Sequence, residues 1–303
     1  MKVFMTGASG YIGTHLTREL VAHGHTVTGL VRSAASAAIV TANGGTPVLG
    51  TGVPATDLPL IVQHARAADA TYHLAFDHSF TDFLGGCAAE AAVVDAVGNA
   101  YEGTDKILLM TSATGVAPHY DPTTEDDSAE GSPNPRRVTE LTAERWATRG
   151  NRVGIVRLPP ITHGGADMGG GAFVLRLIRA ARAANVAAYI GDGRWPAVHV
   201  AEAVSVYRLA LDHVTPGTIA RFHPVADEGV PIKEIMGVIA AHEGLQTKSV
   251  TPEEGAEIFG FIAGLLAMDN RSTSTKTQEV LGWKPTMPGL LDELRAGKYF
   301  DSA

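Results

Sequence analysis

The chain has 303 residues, 45% of them hydrophobic and 18% charged, a composition ordinary for a soluble globular protein and long enough for two lobes around a sizeable core. A net charge of −8 argues against sequence-independent nucleic-acid binding, which needs many phosphate-neutralising cations. The single cysteine, Cys87, excludes an internal disulfide and fits a reducing, cytoplasmic compartment. The longest apolar stretch, around Phe259 to Met268, is too short to span a bilayer, so no membrane partner is expected. Residue 3 already lies inside the first strand, so no signal peptide is expected either.

Residues 1–5 read as a short apolar strand. They run into Thr6-Gly7-Ala8-Ser9-Gly10-Tyr11-Ile12-Gly13 and then a helix over 14–22 carrying Leu16, Leu20 and Val21. Strand, glycine turn and helix put backbone N–H groups and a helix N-terminus against a pyrophosphate. Gly7 allows the tight turn, Gly10 the approach of the phosphate, and Gly13 close packing of the helix. Thr6, Gly7, Ser9, Gly10, Tyr11, Ile12 and Gly13 are therefore candidate dinucleotide-binding residues; the alternative is a purely structural turn. A helix stop at His23-Gly24-His25 precedes a β-branched strand over 26–31. That strand ends Leu30-Val31-Arg32-Ser33, without the carboxylate that holds a ribose 2′-hydroxyl in NAD sites. Arg32 is placed to pair with a 2′-phosphate and Ser33 to donate to it, which favours NADP over NAD. The alternative is a solvated Arg32.

A helix over 36–43, a strand over 46–49 and a helix over 57–68 follow, with Gly50-Thr51-Gly52 facing the adenine edge. A strand over 70–76 enters a loop holding His78. A helix over 84–102 leads to a strand over 106–110, ending Thr111-Ser112-Ala113. The polar stretch from His119 to Pro135 reads as a loop whose length suggests function. A helix over 136–149 and a strand over 152–158 close on Pro159-Pro160. This alternation predicts an α/β fold with a doubly wound parallel sheet. Beyond Pro160 the beat breaks. A glycine-rich loop over 161–171 holds His163, a helix covers 172–185, a strand 187–190 and a loop 191–196. Val198-His199-Val200 leads into a helix over 201–213. A strand near 221–224 and helices over 231–244, 252–267 and 273–281 complete the chain before a helical tail. The expected division is a dinucleotide domain over 1–160 and a substrate lobe over 161–303, some of whose segments return to the first sheet.

The motifs Thr6-Gly7-x-x-Gly10-x-x-Gly13, His73-Leu74-Ala75, Thr111-Ser112-Ala113, Arg157-Leu158-Pro159-Pro160, Gly191-Asp192-Gly193 and Val198-His199-Val200 occur in that order along nearly the whole chain. Together they resemble the extended short-chain dehydrogenase/reductase superfamily, in its epimerase and dehydratase branch. The resemblance implies a Rossmann-type lobe binding NAD(P) and a smaller C-terminal α/β lobe over the nicotinamide. It also implies further cofactor contacts from Leu74, Ala75, Phe76, Thr111, Pro159 and Pro160. Ser112 is implied to hydrogen-bond the reacting oxygen; its alternative is a hydroxyl capping the strand end.

The chain departs from that pattern on the helix before the sixth strand. The family carries a Tyr-x-x-x-Lys pair there, the lysine lowering the tyrosine pKa. Here Arg136 stands at the tyrosine position and Glu140 at the lysine position, and no Tyr-x-x-x-Lys occurs anywhere. An arginine that never deprotonates is a poor acid or base. Glu140 can still hydrogen-bond ribose hydroxyls, or the two residues, four apart on one helix face, can pair with each other. A proton donor must come from elsewhere: His78, His119, Tyr120, His163 or His199, with His78 and His163 ranked first because their loops should flank the nicotinamide. No metal site is expected. The leading reading is an NADP-dependent oxidoreductase acting on a small carbonyl or alcohol, with Ser112 polarising the oxygen. The alternatives are a non-redox epimerase, isomerase or lyase using the same pocket, and a non-catalytic dinucleotide-binding sensor or scaffold. The expected partner is a small-molecule substrate, and a homodimer stays open.

Overall fold

The computed structural model describes residues 1–78, 81–117, 121–164 and 172–303. The first half alternates strand and helix: β1 (Lys2–Thr6), α1 (Tyr11–Ala22), β2 (Thr26–Val31), α2 (Ala34–Ala42), β3 (Thr46–Leu49), α3 (Pro54–Ala67), β4 (Ala70–His73), α4 (Phe83–Tyr101), β5 (Ile107–Ala113), α5 (Arg137–Thr148) and β6 (Arg152–Leu158). Three helix starts have a local cause. Ser33 caps α2 by accepting from Ser36 N, Asp82 caps α4 by accepting from Gly85 N, and Pro54 opens α3 where its missing N–H costs nothing. The second half adds β7 (Ile161–His163), α6 (Ala172–Ala184), β8 (Ala187–Ile190), β9 (Arg194–His199), α7 (Val200–Ala210), β10 (Ala220–Phe222), β11 (Asp227–Pro231), α8 (Ile232–Glu243), β12 (Thr247–Val250), α9 (Pro252–Phe259), α10 (Ala263–Leu266), α11 (Thr275–Leu281) and α12 (Leu290–Arg295).

Seven strands form one parallel sheet in the order β10-β6-β5-β4-β1-β2-β3. Strand order reverses between β1 and β4, and the crevice outside their C-terminal ends is where open α/β sheets bind ligands. Residues 107–112 of β5 are all buried, as parallel strands covered by helices on both faces require. Helices α3, α4 and α5 cover one face around Phe4, Val94, Leu108 and Trp146, while α1 and α7 cover the other around Leu16, Leu20, Tyr72 and Tyr207. The chain therefore returns to the first lobe after Pro160: β10 pairs with β6, and Val198 to Val214, Phe222 and Trp283 join its core. The smaller lobe has a three-stranded sheet, β11-β9-β7, and a two-stranded one, β12-β8, packed with α6, α8, α9 and α12 around Leu177, Trp195, Ile235 and Leu294. None of the described helices is long and apolar enough to cross a membrane.

Several boundaries differ from expectation. The strand expected over 70–76 stops at His73, because Leu74 and Ala75 turn across β1: Leu74 N donates to Thr6 O at 3.3 Å and Ala75 N to Thr6 Oγ1 at 3.4 Å. The glycine-rich stretch after Pro160 begins as β7, paired in parallel with β9, His163 opposite His199. Strand β9 starts at Arg194, inside the expected loop. Strands β11 and β12 escape sequence reading because each is short and polar, with three of the four residues of β12 exposed. The helix expected over 252–267 breaks at Gly260, whose φ of +62° lies outside helical space.

Candidate active site

The glycine turn fits a pyrophosphate on two counts. Gly7 has φ +71°, and a Cβ on it would lie 2.9 Å from Ala75 N, so only glycine is admitted there. A Cβ on Gly13 would lie 2.2 Å from Gly7 O, so that glycine lets α1 sit directly on the turn. Gly10 N donates to Gly7 O at 3.0 Å, and α1 starts from Gly10 without a side-chain cap. The helix N-terminus therefore opens directly from the glycine turn, with Ser9 half-buried beside it. Below the turn, Thr6 Oγ1 lies 2.7 Å from His73 Nδ1. Thr6 Oγ1 also accepts from Ala75 N, so one hydroxyl links the turn to His73. Burial lowers the His73 pKa to about 4, so this floor is neutral. Leu74 and Phe76 are half-buried beyond it and Ala75 is exposed.

At the end of β2, Arg32 is exposed, and among the described residues no carboxylate pairs with it. Ser33, beside it, accepts from Ser36 N at 3.1 Å and donates to Ser36 Oγ at 3.1 Å.

Arg136 and Glu140 do not pair with each other; that expectation is corrected. Arg136 makes a bidentate ion pair with buried Glu90 of α4, Nε–Oε2 at 2.9 Å and Nη2–Oε1 at 2.6 Å, and donates to Thr111 O at 3.1 Å. Its guanidinium lies 4.2 Å from the Phe76 ring centroid, and Thr139 Oγ1 also donates to Glu90. Burial opposes the charge, but Glu90 outweighs it and raises the Arg136 pKa, so this group neither gives nor takes a proton. Glu140 faces the opposite way. Arg157 Nη2 donates to its Oε2 at 2.6 Å and Arg157 Nε to its Oε1 at 3.0 Å, with both side chains fully buried. Ser112 Oγ donates to the same Oε1. Glu140 is thus turned inward, so the expectation that it meets a ribose hydroxyl is also corrected: the unpaired cost of Arg157 in the core claims it. Ser112 is 1% exposed and sits at the junction of β5 with this pair. Thr111 turns its hydroxyl to Tyr207 OH at 2.7 Å and its carbonyl to Arg136.

Of the histidines, His78 joins this group. Its ring packs edge-on to Phe76 at 5.3 Å, on the ring that Arg136 covers, and partial desolvation followed by the Arg136 cation lowers its pKa. His163 does not join it. It is fully buried between the lobes' elements, its Nδ1 2.8 Å from Glu293 Oε2 of α12 and its ring edge-on to His199 at 5.6 Å. Glu293 also accepts from Tyr299 OH at 2.8 Å and Lys298 Nζ at 2.9 Å. Its burial would raise its pKa, but these donors, His163 foremost, hold it down to about 2. His199 caps α7, accepting from Ala201 N. Pro159 is buried and Pro160 half-buried where β6 turns into β7. His119 and Tyr120 lie outside the described residues. Among the described residues, no group of three or more His, Cys, Asp or Glu side chains is arranged to hold a metal ion.

Sequence reading missed Glu90, Arg157 and Glu293. Two of them were visible in principle: Glu90 is a carboxylate inside the alanine-rich stretch of α4, and Arg157 a cation following the apolar run Val153 to Val156 of β6. A charge inside such a run needs a buried partner.

Parallel sheet, reversed strand order and an anion-accepting glycine turn define an α/β dinucleotide-binding protein. Residues 3–221 match the NAD dependent epimerase/dehydratase family, and the chain belongs to that family. It is 41% identical over 303 residues to an uncharacterized protein of Schizosaccharomyces pombe, covering 99% of this chain and 100% of that one. It is 34% identical over 300 residues to an uncharacterized protein of Saccharomyces cerevisiae, covering 98% of each. Among solved structures it is similar to MoeE5 in complex with UDP-glucose and NAD, at 25% identity and a TM-score of 0.71, over 99% of this chain and 98% of that one.

Proposed function

We propose that this chain is a dinucleotide-dependent enzyme of epimerase or dehydratase type acting on a hydroxyl-bearing small molecule. Ser112 and Glu140 carry the proton that a tyrosine–lysine pair carries in the family pattern. The observation behind this is the line Ser112–Glu140–Arg157. Ser112 directs its one hydroxyl proton to Glu140, which leaves its oxygen as an acceptor toward a ligand. A substrate alcohol can donate to that oxygen, and its proton can pass to the carboxylate and return. Such a relay suits a reaction that opens by oxidising an alcohol and closes without net redox change, as in the family to which the chain belongs. It suits carbonyl reduction less, because a carboxylate that accepts from both Ser112 and Arg157 has no proton to give.

A bound dinucleotide would supply hydride acceptance and return. Residues 6–13 would hold its pyrophosphate and Arg32 would meet a 2′-phosphate, Ser33 joining it only by turning its hydroxyl proton away from Ser36, which makes NADP our proposed cofactor over NAD. The NAD in the MoeE5 complex belongs to that protein. The one cysteine, buried and free, supports a cytoplasmic setting.

A second reading has one observation in its favour. His78, beside Phe76 and Arg136 at the same sheet edge, is a candidate proton donor for reduction of a small carbonyl. Two assays separate the readings. Sugars and nucleotide sugars incubated with a trace of NADP+ are followed by NMR and by absorbance at 340 nm. Aldehydes and ketones are tested with stoichiometric NADPH. The first reading expects an epimerised or dehydrated product with no net change at 340 nm, and a loss of roughly hundredfold or more in kcat for Ser112→Ala. Stoichiometric NADPH oxidation on the carbonyl panel, unimpaired in Ser112→Ala and lost in His78→Gln, would replace it with the second.

A further inference from the structure

The loop after β3 holds Arg32 in place. Gly50 N donates to Val31 O at 2.8 Å, which brings the loop back beside the end of β2. Asp57, in the first turn of α3, is 4% exposed and accepts three hydrogen bonds from the loop: Thr51 N at 2.8 Å, Thr51 Oγ1 at 2.9 Å and Gly52 N at 2.9 Å. Those bonds outweigh its burial and lower its pKa, so it is a carboxylate throughout the neutral range. Both loop glycines are sterically required. A Cβ on Gly50 would lie 2.8 Å from Asp57 Oδ2. A Cβ on Gly52 would lie 2.9 Å from Arg32 Cβ and 3.0 Å from its Cδ, and Gly52 holds φ +82°. The backbone of Gly52 is therefore laid along the aliphatic stem of Arg32.

We propose that Asp57, through Thr51 and Gly52, is a positioning residue for 2′-phosphate recognition. It locks the loop against the Arg32 stem, so that the guanidinium is presented beyond β2 in one orientation. This inference rests on the NADP reading above. Arginine carries much rotamer entropy, and a stem already packed loses less of it when a phosphate binds. Ser36 belongs to the same arrangement. It bonds the Ser33 hydroxyl, and α2 begins there with no acidic residue in its first turn to repel an anion. The glycine turn that meets the pyrophosphate is made by residues 6–13, and among the described residues it shares no hydrogen bond with Asp57.

The test is equilibrium binding by calorimetry of NADPH, NADH, 2′,5′-ADP and 5′-AMP to the full chain, wild type and the variants Arg32→Ala, Gly52→Ala, Asp57→Asn and Asp57→Ala, with thermal melting alongside. Wild type should prefer NADPH to NADH and 2′,5′-ADP to 5′-AMP, and Arg32→Ala should abolish both preferences. Gly52→Ala and the Asp57 variants should weaken NADPH and 2′,5′-ADP about tenfold more than NADH and 5′-AMP, Asp57→Asn less than Asp57→Ala. Equal affinities for NADPH and NADH in wild type would sink the NADP reading itself. If Arg32→Ala loses the preference while the Gly52 and Asp57 variants keep it, or weaken all four ligands together, the positioning role is overturned and the NADP reading stands. Should Gly52→Ala fail to fold, the Asp57→Asn selectivity ratio decides, since a purely structural role would move both members of each pair alike.

Discussion

Arg136 and Glu140, set by the sequence pattern where tyrosine and lysine were expected, are each tied to a partner from another element. Arg136 has Glu90 of α4 and Glu140 has Arg157 of β6, both pairs almost without solvent. Removing one member of a buried pair leaves the other charge uncompensated, which costs about 3–5 kcal/mol. Glu140→Gln should lose stability of that order in urea melts at pH 7, whereas Ser112→Ala, which leaves the ion pair whole, should lose far less. The same logic says that installing tyrosine and lysine at 136 and 140 will not recreate the family's pair, since Glu90 would lose its cation and Arg157 would face another one. His73 gives a second test. Burial holds its pKa at about 4 in the fold, below the ordinary 6.5, so the unfolded chain takes up a proton before the folded one does. Its neutral form stabilises the fold fully above about pH 6.5, and that contribution falls away as pH drops toward 4. His73→Gln should therefore flatten the fall in urea midpoint between pH 7 and pH 4; an unchanged slope would show that other groups set it.

The helices of the first lobe are positioned by small residues as much as by large ones. Where α4 crosses α5, a Cβ on Gly98 would lie 2.4 Å from the Trp146 ring, so the helices approach as closely as a glycine backbone allows. Asp95, one turn earlier, accepts from Trp146 Nε1 at 2.8 Å and fixes the ring orientation. Gly98→Ala would ordinarily favour a helix, yet here it should destabilise the protein by about 1–3 kcal/mol through overpacking, measurable as a lower melting temperature. A gain in stability would mean that the indole can rotate away. The crossing also sets Arg136 at the head of α5 against Glu90 on α4. A shifted crossing should therefore reach the site as well as the core.

The two lobes are joined by more than the chain between them. Glu293 of α12 ties the C-terminal segment to His163 at the end of β7 and lies 3.7 Å from His199 at the start of α7, a helix packed on α1. Because its pKa is held at about 2, below the ordinary 4.5, Glu293 stabilises the fold fully above about pH 4.5, and the contribution is lost as pH falls through 2. Glu293→Gln should melt several degrees lower at neutral pH and show a smaller further loss between pH 4.5 and pH 2. Hydrogen exchange should then rise first in α12 and in residues 161–164. Elsewhere, Thr123 pairs with Ser272 and Glu125 accepts from Thr277, so the polar loop before α5 is pinned by the segment leading into α11.

Local pattern was enough for the parallel sheet, the glycine turn and the place of Arg32 at the end of β2. Apolar strands, glycine spacing and helix stops act over a few residues, and their physical causes are equally local. The lobes were harder to read. Strands β7, β11 and β12 are three to five residues long and polar at their edges, and the return of β10 to β6 is a pairing across more than sixty residues that no periodicity announces. That Arg136 and Glu140 stand where tyrosine and lysine were expected was an expectation of the motif, and the partners those residues take were not legible in it. Four apart on one helix, they offered a simple pair. In the folded chain each meets a stronger partner, because Glu90 and Arg157 are themselves buried charges that would otherwise stand alone. Burial is a property of the packed molecule, and it is burial that gave two surface-looking side chains their partners from other elements.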